Sequence, residues 1–421
     1  MTPNEWRLAP LSNAAVIIMG NSPPGVAYNA HGEGTPLLNG PADFGPLHPI
    51  ASQWTTSVTR ECQPGDVLFC VRGATTGRQI VADQRYCIGR GLAAIRGKAG
   101  QTDTTFLRHA LRRIAAEILA EARGAGSTFP AITSDRLAQW LVLLPPLAEQ
   151  CRIAAVLSAV DDAVQATSAV VDQVDLLRRQ LADELFAHGL ADERLHEPVH
   201  GRSGLPRSWV ERPLSDVASV QTGIAKGKPV LGTSVDVPYL RVANVQDGYV
   251  DLGEMKTIRV DPGALERYSL RAGDVLFTEG GDFDKLGRGC VWRAQIAPCL
   301  HQNHVFAVRT SDALLPDFLA AYAASSRGRA YFLDCAKRTT NLASINSTQL
   351  KALPVPVAPL DQQRTIVAAL SAISERLEQE RAVLAQNREL KAALAEVLLT
   401  GNVRVPSPDT TDADQPVVRR A

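Results

Sequence analysis

PPLAEQCRIAAVLSAVDDAV (145–164) and APLDQQRTIVAALSAISERL (358–377) say almost the same thing 213 residues apart. Each reads as a proline-ended strand or loop, then Leu, then a polar Gln-containing step, then a long amphipathic helix. In the first, Ile153, Leu157, Val160, Val164, Thr167, Val171 and Val174 alternate steps of four and three, and Leu177, Leu181 and Leu185 continue. In the second, Ile366, Leu370, Ile373, Leu377, Glu380, Leu384 and Asn387 take the same steps, and Leu390, Leu394 and Leu398 follow. A seam repeating every ~3.5 residues is the pattern of a coiled coil. At ~1.5 Å per residue the first helix, about 148–188, would be roughly 60 Å long. Thr167/Glu380 and Val174/Asn387 put polar groups on the seam, where they either fix register or form a solvated edge.

The echo extends outward. EWRLAPLSN (5–13) matches SWVERPLSD (208–216), with Trp6 on Trp209. PGDVLF (64–69) matches AGDVLF (272–277), and AAIR (93–96) matches FAVR (306–309). The offset grows from 203 through 208 to 213 and then stays constant, so the second block carries about ten extra residues, inserted early. A period this long is a duplicated module, not a solenoid. The blocks read as α+β. GDVLFCVRG and GDVLFTEGG are turn, buried strand and glycine-bounded loop. YLRVANVQDGYVDL (239–252) predicts a hairpin on its Asp-Gly turn. DTTFLRHALRRIAAEILAEA and LLPDFLAAYAASSRGRAYFL are helical in period. The expected architecture is two duplicated α/β domains, 1–147 and 201–357, joined by long antiparallel helices, 148–200 and 358–405. A pseudo-two-fold axis would relate the halves, and 406–421 reads as a disordered tail.

Composition bounds the rest. The 421 residues are 45% hydrophobic and 21% charged, ordinary for a globular protein. Net charge is zero, but 1–147 carries +3, 148–200 −6, 201–357 +4 and 358–421 −1. Two mildly basic blocks alternate with acidic ones, an asymmetry that bears on nucleic acid. No run of apolar residues approaches a membrane span and the N-terminus lacks a signal-peptide pattern, so no membrane and a cytoplasmic location are expected. The seven cysteines are scattered without C-x-x-C, which predicts buried small apolar residues and no zinc site.

No catalytic constellation emerges. GATTGR (73–78) and GGDFDKLGRG (280–289) match neither phosphate-loop pattern. NSPPG (21–25) departs from the Asn-Pro-Pro-aromatic tetrapeptide of amino-methyltransferases at Ser22 and Gly25. The eight histidines show no metal spacing, and Asp161/Asp162 and Asp282/Asp284 lack companions.

Two diverged globular halves, each followed by Pro-Leu-x-x-Gln-x-x-Ile-x-x-x-Leu and a long helix, resemble the specificity (S) subunits of type I restriction–modification systems. The carriers are LPPLAEQCRIAAVL, APLDQQRTIVAAL, the paired domain openings and the paired GDVLF segments, over about 1–405. The resemblance implies two target-recognition domains, each reading one half of a bipartite asymmetric site on double-stranded DNA. The helices would set the unread spacer and dock two modification (methyltransferase) subunits. S-adenosylmethionine, and ATP with Mg on motor–nuclease restriction subunits, would sit on those partners, with no cofactor or metal on this chain and no chemistry of its own. Other readings are a modification-only complex, a coiled-coil scaffold with two protein-binding heads, or an enzyme with an unrecognised site.

DNA contacts are sought in loops. In the first head these are Arg72, Thr75, Thr76 and Arg78 in a Gly-flanked loop, Arg90 between Gly89 and Gly91, and Ser127 and Thr128. In the second they are Lys226, Lys228, Lys285, Arg288, Gln302, Asn303, Thr340 and Asn341. Arg and Lys suit guanine or phosphate, Gln and Asn suit adenine; each residue is equally readable as a solvated loop position. Trp6 and Trp209 fit core packing better than base stacking.

Overall fold

The computed structural model describes residues 6–124, 130–190, 204–225, 232–281, 286–338 and 343–405. Two compact units result: Met1–Ser168 with Ala382–Ala421, and Ala169–Arg381. They cut across the sequence-based domains. Each unit holds one head and a stretch of both long helices.

The heads share a frame. In unit 1 the antiparallel sheet runs Ala15–Met19, Leu92–Gly97, Val67–Cys70, Gln79–Val81. In unit 2 it runs Ala218–Thr222, Val305–Thr310, Val275–Thr278, Gly289–Val291, in the same order. The central strands of GDVLF are buried along their length. The Asp of that motif is buried too. Asp66 takes both Arg96 bonds, at 2.5 and 2.8 Å, and Asp274 takes both Arg309 bonds, at 2.8 and 3.1 Å. Such bidentate pairs fix the neighbouring strands in register. A parallel pair recurs as well, Leu37–Leu38 with Cys87–Ile88 and Tyr239–Leu240 with Leu300–His301.

Local details depart from the sequence reading. Around Asp247–Gly248 there is a tight turn closed by one bridge, Val245 to Val250, and the antiparallel partner of Val235–Leu240 is Lys256–Val260. The expected hairpin is present but short: the Gln246 N–H donates to the Tyr249 carbonyl and the Asp251 N–H to the Asn244 carbonyl, and the Asn244 side chain ties it by donating to the Asp251 and Glu254 carbonyls. The helical stretch of the second head splits at Ser325. Its hydroxyl donates to the Tyr322 carbonyl and accepts from the Gly328 N–H, ending one helix and capping the next. All seven cysteines are free, and Cys151 is exposed, unlike the buried Cys62, Cys70, Cys87, Cys290 and Cys299. Among the described residues no cluster of His, Cys, Asp or Glu is placed to hold a metal.

The long helices span Leu147–His188 and Leu360–Leu399. In unit 1 Ile153 and Leu157, near the start of the first, share a core with Leu398 and Leu399 at the end of the second. In unit 2 Ala182, Leu185 and Phe186 share one with Ile366 and Leu370. The pairing is therefore antiparallel in each unit. Leu377 and Leu384 are buried, and Val160, Val164, Val171 and Ile373 are half-buried. Leu177 and Leu390 leave the seam and are more than half exposed. The 4–3 stepping passes instead to Arg178 and Lys391, because a heptad held to 3.5 places those positions inward. The Asn387 amide meets the Thr167 hydroxyl at 3.4 Å, which pairs the two polar seam residues in unit 1. One 18-residue window of the first helix has a mean hydropathy of 1.3, so by length and composition that helix is apolar enough to cross a membrane. The sequence reading missed this because small residues raise the average without forming one unbroken run.

The repeated Gln of the exit motif explains why each helix leaves its head as it does. Gln150 is buried. Its Oε1 accepts from the Asp103 N–H at 2.9 Å, and its Nε2 donates to the Pro145 and Gln101 carbonyls at 2.8 and 3.2 Å. Gln363 does the same with the Leu315 N–H at 2.8 Å and the Ala358 and Ala313 carbonyls at 2.7 and 2.9 Å. One amide thus joins strand end, loop and helix start.

The junctions are otherwise built differently. In unit 1 Glu149 takes two bonds from Arg404, one from the Trp6 indole and one from the Val405 N–H. Burial would raise the Glu149 pKa, yet those bonds together hold the carboxyl below its usual range. Nearby, Asp161 meets Lys391, Arg112 and Arg108 beside buried His109. Burial, then the Arg108 charge, push the imidazole down to about 4. In unit 2 Trp209 donates to neutral Gln362, and Phe186, Phe318 and Tyr322 pack edge to face.

Gln150→Leu, or Gln363→Leu, would leave three backbone groups unpaired at about 1–3 kcal/mol each, partly offset by apolar packing. We expect a loss of about 2–4 kcal/mol by urea denaturation for either; no loss would mean that the glutamines do not clamp the helices. His109 has a folded pKa below its ordinary 6.5, so its contribution is complete above pH 6.5 and is lost as pH falls toward about 4. His301 in unit 2, lowered by burial, acts in the same direction. His109→Phe should shrink, not abolish, the stability difference between those two pH values, measured by denaturant midpoints.

Candidate nucleic-acid interface

Three loops of the first head are stitched together by backbone. The Val71 N–H donates to the Gly91 carbonyl at 2.9 Å, Gly89 N–H to Leu38 at 2.8 Å, and Asn21 N–H to Ile88 at 2.9 Å. The Arg90 N–H reaches the Ser22 hydroxyl at 3.3 Å. Glycine is required at the closest approach: a Cβ on Gly20 would lie 2.1 Å from the Gly89 carbonyl, and one on Gly91 would lie 2.4 Å from that of Asn39. This stitching brings Arg72 and Arg90 to neighbouring positions, both exposed. Arg78 is also exposed, with its guanidinium 5.8 Å from the Phe44 ring centre and a bond to the Pro41 carbonyl. Thr75 is exposed. Thr76 is not a contact: it is buried, and its hydroxyl closes its own loop on the Gly73 carbonyl at 2.8 Å.

The second head repeats the frame. The Glu279 N–H donates to His304 at 2.9 Å as Val71 does to Gly91, and the Ile345 N–H donates to Glu279 at 2.7 Å as Ile132 does to Val71 at 2.9 Å. Gln302 and Asn303 are half-buried beside Leu240 and Ile224, whose carbonyls accept from their N–H groups. Arg288 stands where Arg78 stands, each carbonyl accepting from the strand's N–H, Thr278 or Cys70. Its Nη1 donates to Gln246 Oε1 at 2.7 Å. Ser127, Thr128, Lys226, Lys228, Lys285, Thr340 and Asn341 lie outside the described residues.

The sequence reading missed Glu279, His304 and Gln246. His304 Nδ1 lies 2.5 Å from Glu279 Oε2, and the Asn303 amide lies 3.3 Å from His304 Nε2. The signal was present in the paired motifs, where GDVLFCV becomes GDVLFTE: the residue after Cys70 is a buried Val71, and its counterpart is a partly exposed Glu279. The surface thus offers arginine donors in one head, and Arg, Gln, Asn and a carboxylate in the other. Those are the groups that bind phosphates and base edges.

Comparison with known proteins places the chain. A family model described as the type I restriction modification DNA specificity domain matches residues 56–174 and 206–386. A protein of Methanocaldococcus jannaschii that carries the name of a MjaX type I restriction enzyme specificity subunit is 36% identical over 44% of this chain and 43% of its own length. The EcoKI specificity subunit of Escherichia coli K12 is 26% identical over 63% of this chain and 59% of its own length. The match therefore spans about half the length of these relatives. Among solved structures, an S subunit of a type I restriction–modification system from M. genitalium superposes with a TM-score of 0.59 at 16% identity, covering 94% of this chain and 97% of that one. A chain from a structure on complex assembly and conformational transition of the type I system gives 0.56 at 19%, over 96% and 99%. These two likenesses show the fold.

If Arg72 and Arg90 meet phosphates, the double variant Arg72→Ala/Arg90→Ala should weaken binding to every duplex alike. The slope of log K against log salt should flatten by about one for each phosphate no longer neutralised. Titration across about 50–200 mM salt measures this. An unchanged slope with altered sequence preference would assign the arginines to base edges instead.

Proposed function

The chain belongs to the type I restriction–modification DNA specificity family, and from that membership we propose that it is the sequence-reading subunit of such a complex, acting on double-stranded DNA in the cytoplasm. One observation carries the reading: a single backbone frame occurs twice with different side chains on its loops, Arg72, Arg78 and Arg90 in one head and Glu279, Arg288, Gln302 and Asn303 in the other. Twin frames suit two reading sites, and unlike side chains suit unlike half-sites. The target is thus split and asymmetric, with an unread gap set by the length of the paired helices.

This chain supplies recognition and no chemistry. Two methyltransferase subunits would bring S-adenosylmethionine, and motor–nuclease subunits would bring ATP and Mg. Val156 in unit 1, and Val170, Leu176 and Leu177 in unit 2, are exposed on the first long helix. They suit docking of such partners, since apolar residues at a protein interface gain from burial.

Methylome sequencing of cells that carry this chain and its methyltransferase should show one split motif with a fixed gap. Adding a heptad to both helices, in register, should change the gap and leave both half-sites intact. Altered half-sites, or a continuous motif, would refute the reading.

A further inference from the structure

We propose that Glu279, oriented by His304, reads an exocyclic amino group of a base for the second head; this rests on the DNA-reading function above. The position is one of two that the duplication lets us compare. Val71 and Glu279 make the same pair of backbone bonds, one to the loop of Gly91 or His304 and one from Ile132 or Ile345. The backbone therefore needs no carboxylate here. In the first head the position is filled by a buried valine, and in the second by an acid whose side chain is 32% exposed.

A carboxylate on a DNA-facing loop repels phosphate. Against DNA it is useful where it meets a donor on the bases, which in the major groove is the amino group of cytosine or adenine. Its presentation fits that use. Oε2 is engaged by His304 Nδ1 at 2.5 Å, and His304 Nε2 faces the Asn303 amide at 3.3 Å. With Asn303 donating, the Nδ1–H of the imidazole donates a hydrogen bond to the carboxylate. Oε1 has no hydrogen-bond partner among the described residues. The next residue is Gly280, where the first head carries Arg72, so no side chain there covers the acid. A stability role is a poor account of the pair. Both side chains are partly exposed, His304 at 52%, and surface pairs of this kind contribute little.

The test uses the full chain with its methyltransferase partner and a duplex library carrying two randomised blocks at a series of gaps. Bound duplexes are sequenced for wild type, Glu279→Gln, Glu279→Ala and His304→Ala, with urea midpoints confirming that each folds. Both Glu279 variants should lower the preference at one position of one half-site by about 5- to 150-fold, the range of a single good base contact, and leave the other half-site unchanged. A C at that position identifies cytosine as the donor and an A identifies adenine. His304→Ala should weaken the same position to a smaller degree. An unchanged motif in Glu279→Ala, or equal loss at both halves, overturns the proposal while leaving DNA reading intact. Failure of the wild type to enrich any motif overturns both.

Discussion

A long helix is useful as a fixed element only if its first turn is tied to something rigid. Its first N–H groups have no partner within the helix, and the chain entering it is free to swing. In this protein one side-chain amide removes that freedom. Gln150 and Gln363 each sit in the first turn, out of water, and bind three backbone groups from two other segments. An amide suits the place because it is donor and acceptor at once; a carboxylate would face two carbonyls, and a leucine would leave all three groups unpaired. The direction in which each helix leaves its head follows from this contact, and the seam residues can meet a partner only once that direction is set.

The two units show how far one frame tolerates divergence. Trp6 and Trp209 both donate to the second residue after the first Leu of the exit, but that residue is charged Glu149 in one case and neutral Gln362 in the other. The charge in unit 1 is matched by Arg404 from the segment after the second helix. Buried His109 corresponds to buried Tyr322, which bonds the Pro354 carbonyl and packs on Phe186. One junction is ionic and the other aromatic, although the strands around them keep the same order. Equal geometry does not require equal chemistry, provided each buried polar group finds its partners.

Much of the fold was legible in the sequence because it is periodic. A 3.5-residue seam needs only the positions of Leu, Ile and Val, and a duplication needs only a constant offset. What the sequence hid was decided by one or two side chains. Leu177 and Leu390 look like seam residues by composition, whereas Arg178 and Lys391 hold the inward positions and pair with Asp175 and Asp161. Asn244 ties the short hairpin at Asp247–Gly248 by donating to the Asp251 and Glu254 carbonyls, a role that no pattern marks. The buried Asp66–Arg96 and Asp274–Arg309 pairs were present as letters, but nothing in their spacing marks them as partners across neighbouring strands.

The loops proposed to read DNA were the least legible part, for a physical reason. A Gly-flanked run of Arg and Thr reveals exposure and flexibility, and says little about where each side chain points. Thr76 illustrates this: its hydroxyl serves its own loop, so a residue of the right chemistry is withdrawn from the surface. Arg72 and Arg90, eighteen residues apart, become neighbours through backbone bonds that glycines alone permit. The divergence of such loops is cheap because their frame is held elsewhere, by the buried Asp–Arg pairs and the closely packed strands. A head can therefore exchange Val71 for Glu279, or Gly91 for His304, without disturbing the sheet beneath. That separation of frame from loop lets one duplicated module carry two unlike faces.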